Sequence, residues 1–130
     1  MPARRNLEIL IATRNAGKVR EIQETLSSLP IKLRYLEEFA NVSTVPEDGL
    51  TYEENAVLKA LGYSRQTGIC ALADDSGLEV DALGGMPGVF SARFAGEHAS
   101  DRKRIEKLLM ALAEFEGSKR SARFVCCMAC

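Results

Sequence analysis

The sequence has 130 residues, of which 46% are hydrophobic and 27% are charged, and its formal net charge is −1. This length is typical of one domain with its own core, and the composition is that of an ordinary soluble globular chain. The charge gives no electrostatic basis for binding nucleic acid, and no apolar run reaches the roughly 18 to 20 residues of a membrane span. We therefore predict a single domain, residues 1–130, with neither nucleic acid nor a membrane as its partner.

The N-terminus and the cysteines indicate a cytoplasmic protein. The apolar run after the first arginines is only about six residues long, and no small-residue cleavage site follows it, which argues against a signal peptide. Cys70, Cys126, Cys127 and Cys130 lack the spacing of a disulfide framework. Cys127 and Cys130 form a C-x-x-C motif, but a zinc site needs a second ligand pair and His98 is the only histidine. We interpret this pair as core residues rather than as a metal or redox site.

The first half of the chain predicts two strands and two helices in alternation. Leu7–Ala12 is almost entirely apolar, as in an interior strand, and apolar residues recur at helical spacing over Val19–Leu29. Alternating residues over Ile31–Leu36 predict the second strand. A capping box at Thr51–Glu54 opens a second helix, which we expect to run to about Gln66.

The second half predicts two further strands, a helix and a final strand. Gly68–Ala73 is typical of a buried strand, and after a turn at Ser76–Gly77 the alternation over Leu78–Ala82 predicts a half-buried one. Apolar residues over Ile105–Phe115 recur at helical spacing and predict a helix packed on the core. The apolar segment Arg123–Cys130 predicts a strand, and because an open strand edge is a pairing liability we expect further chain after it.

The segment Thr13–Lys18 has the chemistry of an anion-binding site. A strand, a polar loop and a helix N-terminus present backbone N–H groups and the positive end of the helix dipole to a phosphate. Lys18 adds a full charge, and Thr13 and Asn15 add hydrogen-bonding side chains. The segment is not a Walker A loop, because G-x-x-x-x-G-K-[ST] is absent. An ordinary strand-to-helix turn is the alternative interpretation.

Two adjacent carboxylates, Asp74 and Asp75, end the predicted strand Gly68–Ala73. Successive residues of a strand point to opposite faces, so one carboxylate can face a cavity while the other holds the loop. A backbone-rich loop, Gly84–Gly88, follows nearby. Carboxylates with substrate phosphates are the usual ligands of Mg²⁺. A polar turn between two strands is the structural alternative.

The second predicted helix has two distinct faces. Asn55 and Lys59 are four residues apart and share one face, which on most helices is solvated surface. We expect that face to matter for function only if it lines the same cleft as Lys18. The predicted buried stripe consists of Ala56, Val57, Ala60 and Leu61.

Three stretches of the sequence resemble blocks of the inosine triphosphate pyrophosphatase, or Ham1-like, family. They are TRNAGK, EDGLTYEENAVLKA and ADDSGLEVDALGGMPGVFSARFAG, in the order and spacing of that family. The resemblance implies an α/β fold, an elongated mixed central sheet flanked by helices, with a C-terminal part that grips the base and that this sequence lacks. It also implies a homodimer that uses Mg²⁺ to hydrolyse dITP, ITP and XTP to the monophosphate and pyrophosphate, which removes deaminated purines from the nucleotide pool.

The resemblance also implies roles for individual residues. Asp75 matches the general base and lies near the metal, with a role that Asp74 could share, and Glu47 matches a metal-associated carboxylate. The implied substrate-binding residues are Thr13, Arg14, Asn15, Lys18, Asn55, Lys59 and Ser76. Two alternatives remain open at this point: a chain that binds triphosphates without turnover, and a thiol or zinc module built on the three C-terminal cysteines.

Overall fold

The computed structural model describes residues 6–130. The chain forms two compact units, one that ends at Asp74 and includes Met128–Cys130, and one of Asp75–Cys127. Their grouping into a single domain, residues 1–130, stays a prediction. Within residues 6–130, no helix is both long and apolar enough to cross a membrane.

Four strands form one mixed sheet in the order β2-β1-β3-β4, and helices flank it. The strands are β1 (Leu7–Ile11), β2 (Ile31–Tyr35), β3 (Cys70–Val80) and β4 (Ala122–Ala129). β1 pairs in parallel with both β2 and β3, so that its residue Ile9 lies opposite Leu33 on one side and Cys70 on the other. Parallel neighbours need crossover connections, which the helices between these strands supply. The predicted α/β class and mixed sheet are confirmed.

The three predicted helices are present as α1 (Ala16–Leu26), α2 (Tyr52–Thr67) and α3 (Asp101–Ala111). The start of α2 is as predicted, because the Thr51 hydroxyl accepts a hydrogen bond from the Glu54 N–H at 3.1 Å. α1 differs from its prediction: it begins at Ala16, inside the segment expected to be a loop, and it ends before Leu29. The helix starts earlier than predicted because Asn15 is its N-cap.

The core of the first unit lies between β1, β3 and α2. Leu10, Ile11 and Ala12 are fully buried, which confirms the predicted interior strand. Residues from the neighbouring elements complete the cluster, and its buried members are Leu10, Ala12, Leu36, Ala60, Tyr63, Ala71 and Ala73.

β3 is one continuous strand, whereas the sequence predicted two strands separated by a turn at Ser76–Gly77. The prediction was wrong because Gly77 serves close packing rather than a turn. A Cβ atom at this position would lie 2.1 Å from the carbonyl oxygen of Gly88. Glycine at position 77 lets its backbone approach that of Gly88 closely. Beside this contact, the Leu78 N–H donates a hydrogen bond to the Ser91 hydroxyl at 2.9 Å. Asp74 and Asp75 consequently lie inside a strand rather than at its end.

The buried face of α2 includes Ala56 and Ala60 of the predicted apolar stripe, but Val57 and Leu61 of that stripe are exposed. Asn55 is 1% exposed and Lys59 is 9% exposed, whereas Val57 and Leu61 are 40% and 48% exposed. Asn55 and Lys59 therefore do not form the solvated face that is usual for such a pair on a helix. A buried lysine requires a partner for its charge, and the partners of Lys59 identify the site described below.

The apolar residues of α3 and the cysteines are also more exposed than predicted. Ile105 and Leu109 are 55% and 53% exposed, and of the predicted stripe only Leu112, just after the helix, is buried within residues 6–130. Cys130 is exposed and Cys127 is half-buried, so the assignment of this pair to the core was wrong. Cys70 and Cys126 are also exposed. β4 is an edge strand, which leaves its side chains less covered than those of β1.

Candidate functional site

The turn between β1 and α1 is held by its own side chains. Asn15 Oδ1 accepts hydrogen bonds from the N–H groups of Gly17 at 3.0 Å and Lys18 at 3.2 Å. Thr13, which is buried, accepts a hydrogen bond from the Asn15 N–H at its hydroxyl, whereas Arg14 is exposed. Asn15 is thus the N-cap of α1 and satisfies two of the N–H groups predicted to serve a phosphate. This cap was not predicted from the sequence.

Lys18 and Asp74 form an ion pair inside the first unit. The Lys18 ammonium lies 2.6 Å from Asp74 Oδ2, and the two side chains are 30% and 6% exposed. Burial of a carboxylate is costly unless a cation compensates its charge, and Lys18 provides that cation from the first turn of α1. The ion pair therefore joins the helix that follows β1 to the middle of β3.

Lys59 reaches the same residue from α2. Its ammonium donates a hydrogen bond to the backbone oxygen of Asp74 at 2.8 Å and lies 3.3 Å from Glu47 Oε1. The Lys59 side chain is 11% exposed, while that of Glu47 is 41% exposed. Two ammonium groups from two helices thus meet at Asp74, and the predicted site residues Lys18, Lys59 and Glu47 are linked through it.

Asn55 supports the loop that carries Glu47. Its Oδ1 accepts a hydrogen bond from the Gly49 N–H at 2.8 Å, and Glu54 Oε2 accepts one from the Leu50 N–H at 2.6 Å. Both acceptors come from the first turn of α2, so the helix fixes the backbone of the acidic loop just after Glu47. The structure assigns Asn55 a positioning contact, which could not be distinguished from a substrate contact by sequence alone.

Asp75 and Ser76 open the second unit. Asp75 Oδ1 accepts a hydrogen bond from the Ser76 N–H at 3.1 Å, and both residues are half-buried. Their placement against Lys18, Lys59 and Glu47 stays a prediction, as do the roles of Asp75 as base and metal ligand. Asp74, which was predicted from the sequence only as a neighbour that could share the role of Asp75, forms the ion pair with Lys18.

The two predicted carboxylates have the donor chemistry for a divalent cation. Within residues 6–130, no group of three or more His, Cys, Asp or Glu side chains is arranged to hold a metal ion. Glu47 and Asp75 offer carboxylate oxygens, the ligand type that Mg²⁺ prefers when substrate phosphates and waters complete its shell. The half-exposed Glu47 is accessible to such a ligand set. The chemistry of the two donors fits Mg²⁺, and their joint coordination stays a prediction.

Lys18, Glu47, Lys59 and Asp74 form what we call the first-unit site, and their charges alternate in sign. Two ammonium groups lie within hydrogen-bonding distance of Asp74, and Lys59 also pairs with Glu47. An anionic ligand that approaches Lys18 or Lys59 competes with these internal acceptors for the same donors. The arrangement can therefore hold phosphate oxygens with pre-positioned cations, which is the electrostatic requirement for phosphoryl chemistry.

The chain is similar to known proteins of one family. A model of the Ham1 family matches residues 9–130. A dITP/XTP pyrophosphatase of Bacillus cereus is 48% identical over 122 residues, which cover 94% of this chain and 60% of that protein. One from Syntrophobacter fumaroxidans is 55% identical over 118 residues, covering 91% and 50% respectively. The structure of a HAM1 protein from Coxiella burnetii matches with a TM-score of 0.85 at 49% identity, over 95% of this chain and 62% of that chain.

These matches include all of the first-unit site. The chain spans about 60% of the length of the Bacillus cereus relative and 50% of that from Syntrophobacter fumaroxidans. The resemblance predicted from the three sequence blocks is confirmed, because the family model covers them together with the four-stranded sheet that carries Asp74. This chain belongs to the Ham1 family.

Proposed function

We propose that this chain contributes the phosphate-binding part of a hydrolase that converts dITP, ITP or XTP to the monophosphate and pyrophosphate. Membership in the Ham1 family supports the proposal, as do two relatives that are dITP/XTP pyrophosphatases. Removal of deaminated purines from the nucleotide pool is the corresponding cellular role, and it fits a cytoplasmic protein. Both of these relatives are longer than this chain.

The observation that carries the proposal is the convergence of Lys18 and Lys59 on Asp74, at 2.6 Å and 2.8 Å. A triphosphate presents several anionic oxygens along a short chain, and two neighbouring ammonium groups match that charge distribution. Because both lysines are held by internal acceptors, little reorganisation is needed when a phosphate oxygen replaces one of them. Asp74 acts in this scheme as the residue that positions Lys18.

The chemical step uses the predicted pair of carboxylates. In the proposal, Glu47 and Asp75 would hold Mg²⁺. The bound ion would neutralise negative charge on the phosphate oxygens. Asp75 accepts the proton of the water that attacks the α-phosphorus. Lys18 and Lys59 stabilise the negative charge that develops on the pyrophosphate leaving group. Arg14 and Ser76 are assigned to contacts with the substrate, while Thr13 and Asn15 hold the turn that positions Lys18.

The test is a pyrophosphate-release assay with purified protein, dITP, ITP, XTP and ATP, with and without Mg²⁺. We expect release from the deaminated substrates only with Mg²⁺, and a loss of about 100-fold or more in kcat for Asp75→Asn. Asp101→Asn is a matched control, because the Asp101 side chain is 92% exposed. Retention of full activity by Asp75→Asn would refute the assignment of the base.

A second candidate function is triphosphate binding without turnover. The observation that favours it is that the matched residues cover only 60% of the Bacillus cereus relative. Equilibrium dialysis with labelled dITP, run beside the release assay, separates the two candidates. Binding that depends on Lys18 and Lys59 without pyrophosphate release supports the second candidate, and release supports the first.

We also propose that the protein assembles as a homodimer, as the family resemblance implied. Sedimentation equilibrium over a range of protein concentrations tests this proposal directly. A monomer mass at the highest concentration contradicts it.

A further inference from the structure

Two cysteines that are distant in sequence lie side by side in the first unit. Cys70 begins β3 and Cys130 directly follows β4, the neighbouring strand of the sheet. Their sulfur atoms are 3.3 Å apart although the residues are 60 positions apart in the chain. Both thiols are free and exposed. This pair differs from the C-x-x-C motif of the sequence, which consists of Cys127 and Cys130.

The two thiols lie in an open groove of about 180 Å³ beside α2. Burial in this groove, with a smaller contribution from the hydrogen bond and charge of Cys70, raises the pKa of the Cys130 thiol above its usual value. Cys130 is therefore largely protonated at neutral pH and must lose a proton before its sulfur can attack a disulfide. The residues that line the groove are Val57, Ala60, Leu61, Ser64, Cys70, Ala71, Ala129 and Cys130.

We propose that Cys70 and Cys130 are a redox-modification site, at which a low-molecular-weight disulfide such as oxidised glutathione reversibly forms a disulfide bond between them. The sulfur atoms need to approach by only about 1.3 Å to reach the ~2.05 Å of an S–S bond. Neither cysteine takes part in the contacts of Lys18, Lys59, Glu47 and Asp74, so this site is separate from the proposed phosphate site.

The exchange proceeds in two balanced steps. The Cys70 thiolate attacks one sulfur of oxidised glutathione, which breaks its disulfide, leaves a mixed disulfide on Cys70 and releases one glutathione thiolate that takes up a proton. Cys130 then loses its proton and attacks Cys70 Sγ, which breaks the mixed disulfide and expels the second glutathione. Two cysteine thiols are oxidised by two electrons, and one oxidised glutathione is reduced to two glutathione molecules.

The bond has a mechanical consequence for the sheet. It ties the first residue of β3, four positions before Asp74, to the residue that follows β4. A crosslink that closes a long segment restricts the unfolded chain, and in the oxidised protein we expect a Tm higher by about 5 °C or more. Addition of dithiothreitol should reverse this shift.

The experiment uses the unmodified 130-residue chain, incubated in glutathione buffers of increasing oxidised fraction and then alkylated. We expect an intact mass lower by two hydrogens before alkylation. Because Cys126, Cys127 and Cys130 share one tryptic peptide, tandem mass spectrometry of the linked peptides should place the bond between Cys70 and Cys130. A map that places the bond at Cys126 or Cys127, or full alkylation of Cys70 and Cys130 in the most oxidising buffer, overturns the proposal.

Variants provide the matched comparison. Cys70→Ser and Cys130→Ser should each abolish the internal bond and leave a glutathione adduct on the remaining cysteine of the pair. Cys126→Ser and Cys127→Ser should retain the bond. The peptide map of the unmodified chain decides the question even if a variant fails to fold. None of these measurements depends on hydrolysis, so the inference can fail while the proposed function stands, and the reverse is also possible.

Discussion

The ammonium of Lys18 lies 2.6 Å from the carboxylate of Asp74, and the lysine side chain is 30% exposed whereas the aspartate side chain is 6% exposed. The pair is therefore asymmetric: the buried carboxylate depends on its partner, while the lysine remains within reach of solvent. This asymmetry suits a cation that holds the fold when no ligand is present and can turn toward an anionic ligand when one arrives.

The first prediction concerns the energy of this ion pair. In a double-mutant cycle of Lys18→Met and Asp74→Asn, we expect a coupling free energy of unfolding of about 1 kcal/mol or more, because one partner is buried. Arg102 and Glu106 are the matched surface pair, 3.0 Å apart with side chains 88% and 57% exposed. Their cycle should give about 0.5 kcal/mol or less. Urea denaturation measures both, and equal couplings would show that burial of Asp74 does not strengthen its pairing.

The second prediction tests the close approach of the backbones at Gly77 of β3 and at Gly88. Replacement of Gly77 by alanine places a Cβ atom 2.1 Å from the Gly88 carbonyl oxygen. Since two backbones cannot separate without disrupting their neighbours, we expect a loss of about 3 kcal/mol or more in the free energy of unfolding. Gly117→Ala is the control, because a Cβ atom added there would have no neighbour within 4 Å. A Gly77→Ala protein as stable as the control contradicts the described packing.

The sequence allowed individual strands and helices of the α/β core to be predicted because their signals are local. The apolar run Leu7–Ala12 and the capping box Thr51–Glu54 each specify an element without knowledge of the rest of the fold. The continuous strand β3 could not be predicted, because a glycine at a turn and a glycine at a close approach have the same local pattern. Only the position of Gly88 in space distinguishes the two.

The candidate site was predictable in its charges but not in its contacts. Lys18 and Glu47 were recognised through motif resemblance, and both are part of the contact network. The burial of Lys59 could not be predicted from helical periodicity, because it depends on partners that come from β3 and from the acidic loop. The cap formed by Asn15 was also missed, although asparagine before a helix is a recognised N-cap signal.

The third prediction concerns the pH dependence of stability near β2. The Tyr35 N–H, at 2.7 Å, and then Arg34, at 2.9 Å, donate hydrogen bonds to the Glu38 carboxylate and lower its pKa from the usual 4.5. A carboxylate whose pKa is lower in the folded state adds stability above its unfolded pKa, and that stability is lost as the pH falls through the folded pKa. The stabilisation by Glu38 should therefore be complete near neutral pH and absent in strong acid.

Thermal unfolding of the Glu38→Gln variant and the unmodified protein over roughly pH 2 to 7 tests this expectation. The difference in Tm should be largest at neutral pH and should vanish as the pH drops below the folded pKa of Glu38. Glu37→Gln, on the same short segment, controls for the loss of one negative charge. A difference in Tm that stays constant over the whole range would show that ionisation of Glu38 has no part in the effect.

The fourth prediction concerns Asn55, which is 1% exposed and accepts a hydrogen bond from the Gly49 N–H at 2.8 Å. The Asn55→Ala variant removes the acceptor and leaves space in a buried position, so we expect a loss of about 2 to 3 kcal/mol in the free energy of unfolding. Hydrogen exchange at the Gly49 amide should accelerate more than exchange in the core strand β1, since the acidic loop loses its anchor.

Asn41→Ala is the matched control, because Asn41 is an exposed asparagine in the connection between β2 and α2. If Asn55 acts by fixing the loop that carries Glu47, the Asn55→Ala variant should also release pyrophosphate more slowly, with a shift toward higher Mg²⁺ concentrations at half-maximal rate. A purely stabilising role would reduce the amount of folded protein without moving that concentration. Unchanged exchange at Gly49 would show that another contact holds the loop in place.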